Sequence, residues 1–532
     1  MWSSLLTRRE KYSVAILSVF AFTLRIPLAL RPELFLSELP YGDDAFYVFS
    51  IARNIAAGHG ISVDGTHLTN GFQPLILLFY TPIFWLCGHD AWLAVRWTFI
   101  VNGVIAALCV WAVALLVRSQ ERTPQTHGLT APIIAAAIWT FTFEIFTHIT
   151  NGLETGLSSL LLLIAMTLFA NLENDHRTEI KLRWRRWLAL GIVLGLAVLA
   201  RIDAAFFVAI LTFVLFVKRR NTEAIIVSTT ALIASVPWWI FNAVNFGSLM
   251  PTSGQAENSW PLPKWENITE ATKTLSNMLS LIFYIPGNFG ILGWITSSLT
   301  VIGILAFVCY RTKLINQLQI AFRLRSLFPV LLFSIALFMY YVFLFRSPHF
   351  IARYLQPLRI LWSILVAASI SMLWNKKKAR PVVLGIATLG LAFGVERYTD
   401  NYFPTHPNFN FYEMGLWANE HPTEKIAMLQ SGIASFIAPN VINLDGKVNA
   451  DALHAHQQGR LAAYLRDEHF TYIADWKPFI EDIAAIARKD ELYFDSVGMI
   501  DDVQLMKRRD ATAPFAPTPA TSFNPPSGTH SK

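Results

Sequence analysis

The sequence predicts a polytopic α-helical membrane protein that ends in a small soluble α/β domain. Three observations carry this. Of 532 residues, 54% are hydrophobic and only 15% charged, with a mean hydropathy of +0.42; a soluble chain of ordinary composition carries about 25% charge. Many apolar runs approach or reach the ~20 residues that cross a bilayer core. From residue 397 the composition becomes that of a soluble domain. The net charge of +7 is no nucleic-acid footprint, because Lys and Arg sit in short clusters between apolar runs, the positive-inside pattern. Cys87, Cys109 and Cys309 all fall within apolar runs, so no disulfide framework is expected.

The first apolar run, Tyr12 to Leu30, follows Arg8, Arg9 and Lys11, which hold the N-terminus in the cytoplasm. Arg25 interrupts the run and no small-residue cleavage site follows, so it reads as a retained anchor. Residues 32–72 then form a long polar loop outside. Further apolar segments fall at 73–87, 92–117, 131–149, 153–171, 187–201, 203–217, 223–241, 291–310, 327–345, 355–374 and 382–396. The basic stretches Lys181 to Arg186, Lys218 to Arg220, Arg311 to Arg325 and Lys376 to Arg380 belong in the cytoplasm, as do Arg118 and Arg122. Counting back, 88–91 and 32–72 both lie outside, so the short segment 73–87, with Pro74 and Pro82, is expected to be re-entrant or interfacial, the alternative being that 118–130 is an exception to the charge rule. Residues 1–396 then hold about eleven transmembrane helices, and the C-terminus lies outside.

Residues 242–290 form a second external loop, within which Glu266 to Leu281 reads as a surface helix. The stretch 346–354 is basic on the outer side, against the charge rule, so its arginines need another purpose. In 397–510, the segments Ile426 to Leu429, Val441 to Leu444 and Tyr472 to Ala474 read as short buried strands, with helical patterns such as Arg460 to Glu468 between them: an α/β layer domain. The Pro/Thr/Ser-rich tail 511–532 lacks the apolar content to fold.

The residues that could carry chemistry cluster on the outer side. Tyr41-Gly42-Asp43-Asp44-Ala45-Phe46-Tyr47 opens an amphipathic helix that ends at Gly58-His59-Gly60. The plain reading of Asp43 and Asp44 is a helix N-cap. The chemical one is a general base, since a partly desolvated carboxylate takes the proton from an attacking hydroxyl. No cofactor is required for that, although an acidic pair also suits a divalent cation. Arg346, His349 and Arg353 suit a phosphate, the arginines being seven residues apart on one face if helical; snorkelling is the plainer alternative. Arg201 is a further candidate for that phosphate and Asp203 for binding acceptor or sugar, unless the two form a local ion pair. His148 and Glu154 face the same compartment and are candidates for binding acceptor or sugar. Asn70 and Gln73, in Thr69-Asn70-Gly71-Phe72-Gln73-Pro74, offer polar groups to sugar hydroxyls unless they simply make a turn. There is no phosphate-binding loop of a nucleotide pump, no dinucleotide fingerprint and no metal-ligand cluster in the sequence.

One crossing, a long acidic external loop, many further crossings and a C-terminal α/β domain together resemble the GT-C glycosyltransferases. Asp43-Asp44-Ala45, Ala52-Arg53-Asn54 and Gly58-His59-Gly60 look like the mycobacterial terminal arabinofuranosyltransferases and their bacterial relatives. Gly152-Leu153-Glu154-Thr155, Leu199-Ala200-Arg201, Arg353-Tyr354-Leu355 and the stretch Gly432 to Gly446 are similar to that group as well. The family pattern follows the arginine with Pro-Glu where this chain has Ile202-Asp203, and the region after Pro251-Thr252 also departs from it. The resemblance implies an enzyme of the bacterial inner membrane with its active site and C-terminal domain in the periplasm. It implies inverting transfer of a sugar, arabinofuranose first, from a polyprenyl-phosphate donor to a glycan, lipid or protein acceptor. Asp44 would be the base with Asp43 assisting, and Arg353, Arg346, His349 and Arg201 would surround the donor phosphate. The rival readings are a lipid-linked oligosaccharide ligase or polymerase, a flippase or transporter of lipid-linked sugars, and a structural assembly factor.

Overall fold

The computed structural model describes residues 6–122, 128–174, 180–257, 265–279, 322, 327–345, 347, 351–405 and 410–509. The segment expected at 291–310, Arg346, His349 and the tail 511–532 lie outside the described residues.

The helical part begins with α1 (Arg8–Thr23), α2 (Ile26–Ala29), α3 (Glu33–Leu36), α4 (Asp43–Ala56), α5 (Pro74–Cys87), α6 (Ala91–Gln120), α7 (Ala131–Phe141) and α8 (Phe143–Thr150). It continues with α9 (Thr155–Asn174), α10 (Ile180–Ala200), α11 (Ala204–Val217), α12 (Asn221–Phe246), α13 (Thr252–Glu257) and α14 (Trp265–Leu279). Three longer helices follow, Phe328–Phe343, Gln356–Trp374 and Arg380–Tyr402, with a short turn of helix, Ile351–Tyr354, before the second. Local sequence sets the ends. Thr7 and Glu10 form a capping box at the start of α1. Prolines in the first turn open α5, Phe328–Phe343 and Gln356–Trp374. Gly247, left-handed at φ 64°, ends α12.

Among the described residues, six helices are long and apolar enough to cross a bilayer. The pair α7 and α8, bent by 63°, would make a seventh if counted as one span. The gap to the eleven expected crossings has physical sources. Helix α11 and the helix Phe328–Phe343 are apolar but only 14 and 16 residues long, α10 opens on basic residues, and 291–310 is not described. Exposed apolar side chains such as Leu30, Leu86 and Val244 line the outer helix faces, as a hydrocarbon surrounding demands.

Helices α10 and α11 form a hairpin. Arg183 at the start of α10 reaches Glu223 at 3.9 Å, and Arg220 beyond α11 meets the same carboxylate at 3.2 Å. The basic stretches at 181–186 and 218–220 thus share one end, and the turn at Arg201-Ile202-Asp203 lies at the other.

The last apolar helix, Arg380–Tyr402, runs past residue 396, where the composition changes. Tyr402 is buried and stacks on Phe143, ring centroids 5.6 Å apart, and its carbonyl accepts from Arg31 at 2.8 Å. The last apolar helix thus carries on to Tyr402.

The C-terminal unit is a five-stranded sheet of order β2-β1-β3-β5-β4, with β1 (Ile426–Met428), β2 (Val441–Asn443), β3 (Tyr472–Trp476), β4 (Phe494–Ile500) and β5 (Val503–Arg508). The three anticipated strands are the parallel ones; β5 pairs antiparallel with β3, and β4 with β5. One sheet face, with Ala427, Ile442 and Ile473, packs under the helices Leu461–Asp467 and Lys477–Lys489. The other, with Ile426, Met428, Val441 and Ala474, joins the same apolar core as the helical part, following the strand period of two.

The two parts meet at α4. Nine of its 14 residues are buried. Phe46 packs edge-on against Phe436 at 5.3 Å, and Arg53 donates to the Phe436 carbonyl at 2.7 Å. The Tyr47 hydroxyl accepts from the Ser431 N–H at 3.0 Å and from Asn443 at 3.2 Å. Gly432 lies so close that a Cβ there would fall 2.0 Å from the Asp43 carbonyl oxygen. We expect Gly432→Ala to lower stability by about 1–3 kcal/mol, the usual cost of overpacking. A control, Gly385→Ala, has no atom within 4 Å of the new Cβ and should not destabilise. Thermal unfolding in detergent compares the two, and equal midpoints would refute the docking contact.

Candidate active site

The chain enters α4 through Gly42 in extended conformation, and two carboxylates sit in the first turn, where the helix dipole favours negative charge. Their directions differ. Asp43 points to the C-terminal domain, where Oδ2 accepts from the Gly432 N–H at 2.9 Å and Oδ1 from the Ile433 N–H at 2.8 Å. It therefore caps a helix of the other domain, Gly432–Ile437, rather than its own. Burial pushes its carboxyl up to about 7. Asp44 faces a cavity instead, and its Oδ2 lies 3.4 Å from an Arg353 guanidinium nitrogen.

The cavity has a volume of about 540 Å³ and walls that are mostly apolar and aromatic. Six of the expected site residues line it: Asp44, Gln73, Glu154, Arg201, Asp203 and Arg353. Residues far apart in sequence thus converge from α4, the turn before α9, the α10–α11 turn and the helix Ile351–Tyr354.

Arg201 is the most tightly bound of the cations. It pairs with Asp203 through two nitrogens and with Glu154 at 3.2 Å, and all three residues are buried. The Tyr341 hydroxyl donates to Asp203 at 2.7 Å. The Tyr354 ring stacks on Tyr341 at 4.3 Å and also faces Arg201 at 4.7 Å and Arg353 at 5.0 Å. From α14, Asn267 donates to the Phe345 carbonyl at 2.7 Å and so closes the end of the helix Phe328–Phe343.

The remaining candidates are elsewhere. Asp43, expected to assist Asp44, does not line the cavity, because both of its oxygens are bound by backbone N–H groups. Asn70 is buried beneath the wall, donating to Asn242 at 3.2 Å and accepting from the Thr252 N–H at 3.0 Å; it pins the loop rather than facing a sugar. His148 also lies outside the lining, in the electrostatic reach of Glu144 and Arg359. Among the described residues, no three His, Cys, Asp or Glu side chains converge as metal ligands.

Solved structures share the fold of this chain. ArnT from Cupriavidus metallidurans, bound to undecaprenyl phosphate, matches over 94% of this chain and 98% of its own, with a TM-score of 0.55 and 12% identity. The archaeal oligosaccharyltransferase AglB from Archaeoglobus fulgidus, in complex with an inhibitory peptide and a dolichol-phosphate, matches over 91% of this chain and 72% of its own, with a TM-score of 0.54 and 13% identity. The chain has the GT-C fold. No protein-family profile and no curated protein sequence matches it.

Within this GT-C fold the cavity also has lining residues that were not anticipated as site residues. Lys447 and Glu257 form an ion pair at 3.1 Å, and Tyr47, Tyr341 and Tyr354 complete the wall. A signal for two of them was present. Lys447 directly follows Asn443-Leu444-Asp445-Gly446, and Glu257 ends the divergent stretch after Pro251-Thr252. Among the described lining residues, four carboxylates (Asp44, Glu154, Asp203, Glu257) face three cations (Arg201, Arg353, Lys447).

The Asp43 carboxyl, raised from 3.8 to about 7, gives a signed pH dependence. A raised folded-state pKa means stability that is fully present below about pH 4 and lost as the pH rises through 7. We therefore expect the margin in thermal midpoint of wild type over Asp43→Asn to shrink between pH 5 and 8.5. A margin constant over that window would contradict the burial of this carboxyl.

Proposed function

We propose that the protein is a membrane glycosyltransferase that moves a sugar from a polyprenyl-phosphate donor to a hydroxyl acceptor, with inversion. The observation that carries this is a single cavity holding a partly exposed carboxylate, Asp44, 3.4 Å from the guanidinium of Arg353. A base and an anion-binding group side by side are what such a transfer needs. The C1–O bond to the phosphate breaks and its electron pair stays on the phosphate. The acceptor oxygen bonds C1 and its proton passes to Asp44. Because polyprenyl phosphate is a good leaving group, the protein chiefly supplies orientation and charge complementarity. The apolar walls suit a lipid-linked substrate entering from the bilayer. The ArnT structure holds undecaprenyl phosphate and the AglB complex a dolichol-phosphate, which supports a polyprenyl carrier here.

In this reading Arg353 takes the donor phosphate, with Arg346 and His349 as neighbours in sequence. Gln73 and Glu154 meet sugar hydroxyls. Arg201 and Asp203, already bound to each other, act as a strut rather than as phosphate ligands. The enzyme sits in the bacterial inner membrane with the cavity and C-terminal domain on the periplasmic side, since the basic hairpin ends lie opposite the cavity. The acceptor is a glycan, a lipid or a protein. Arabinofuranose heads the donor panel on the strength of the acidic-loop motifs. Transfer of a preassembled oligosaccharide is the second reading, favoured by the likeness to AglB.

The test is transfer by purified protein in lipid, with polyprenyl-phosphate arabinofuranose and other lipid-linked sugars as donors. Asp44→Asn should lower kcat by about 10²–10⁴-fold, the usual worth of a general base, with the thermal midpoint unchanged. Residual transfer within tenfold of wild type would rule out Asp44 as the base. Transfer only from oligosaccharide donors would favour the second reading.

A further inference from the structure

One cation reaches the cavity from the C-terminal domain. Lys447 leaves β2 through Gly446, at φ 80°. Its main chain is fixed from two sides by the helical part. The Lys447 carbonyl accepts from the Thr252 hydroxyl at 2.8 Å. It also packs against Gly71 so tightly that a Cβ there would lie 1.8 Å from it. With the backbone held, the side chain extends into the cavity, where Nζ lies 3.1 Å from Glu257 and 3.6 Å from Asp445. These carboxylates and Asp44 hold the ammonium charged well above the ordinary lysine range.

We propose that Lys447 binds the phosphate of the lipid-linked donor, so that the C-terminal domain completes the donor site. This rests on the glycosyltransferase reading given above. Three observations select Lys447. Arg201 is committed to Asp203 and Glu154, and turning it toward a phosphate would break two buried ion pairs. Lys447 can turn without stranding these two carboxylates, because Glu257 also accepts from the Ser347 hydroxyl and Asp445 from the Lys447 N–H at 2.8 Å. An ammonium on a flexible four-carbon stem suits that exchange. Finally, Lys447, Arg353 and Asp44 line one cavity, with Arg353 3.4 Å from Asp44, so a phosphate held by the two cations shares that cavity with the base.

During transfer the phosphate changes from a diester to a monoester and gains negative charge as the C1–O bond breaks. The attraction of Lys447 therefore strengthens toward the transition state. Its loss should lower kcat as well as donor affinity.

The experiment titrates full-length protein in lipid nanodiscs with undecaprenyl phosphate and, separately, with undecaprenol. Wild type is expected to prefer the phosphate. Lys447→Met should reduce that preference about tenfold or more, the worth of a charge-assisted hydrogen bond, and Lys447→Arg should retain most of it. Glu257→Gln should bind the phosphate more tightly, because it removes the competing carboxylate. If Lys447→Met keeps the wild-type preference, or if Lys447→Met and Glu257→Gln weaken binding alike, the pair is a structural strut and the proposal fails. Should Lys447→Met not fold, Glu257→Gln and Lys447→Arg decide by the same signs. A wild type with no preference for the phosphate over the alcohol overturns the donor reading itself, and this proposal with it.

Discussion

The two hydrogen bonds from the Gly432 and Ile433 N–H groups to Asp43 orient everything the cavity does. Successive residues of an α-helix point about 100° apart. Fixing Asp43 toward the C-terminal domain therefore turns Asp44 aside, into the cavity. One turn on, Tyr47 is gripped by Ser431 and Asn443, and the far face of α4 is seated on Gly152, where a Cβ would meet Ala45 at 2.8 Å. The angle of Asp44 is thus set by contacts on both sides of its helix. An acidic pair in sequence is a division of labour in space.

The second theme is charge. Lone ions are costly away from water, and in the cavity they occur as pairs or triads. Arg201 lies between Glu154 and Asp203, Arg353 beside Asp44, and Lys447 beside Glu257 and Asp445. The same rule holds at the other end of the bundle, where buried Arg118 bridges Glu10 and Glu121, and Glu10 also accepts from Thr130 at 2.7 Å.

Much of this was legible in the sequence, and the exceptions have causes. Apolar runs and basic clusters gave the helices because lipid and membrane charge bias act on composition. The bend between α7 and α8 was not legible, since Thr142 does not interrupt the hydropathy of 131–149. Strand β4 escaped because a register shift between Ser496 and Gly498 breaks the alternation that marks a strand, and β5 because Val503 to Met506, polar Gln504 included, are all buried. The acidic motif gave Asp44, but nothing local says that its neighbour Asp43 caps a helix 389 positions away. Lys447 was hidden for a related reason: a lysine in a soluble domain looks like a solvated surface residue until the domain is docked. For Asn70 the two readings stayed open in the sequence, because a polar turn facing sugar and a polar turn pinning its own loop read the same.

The pairing of the cavity's cations has one more consequence. A bilayer is made of phosphodiesters, and their headgroups outnumber any carrier lipid. A bare cluster of arginine and lysine beside the membrane would be filled by them. In this cavity each incoming anion must first displace a carboxylate already in place. A diester headgroup with little else to offer has a poor claim on such a site; on the reading proposed above, a ligand whose sugar hydroxyls meet Gln73 and Glu154, which both line the cavity, has a better one. On the donor reading proposed above, the acidic residues would thereby act as a sieve against the ordinary lipids of the membrane.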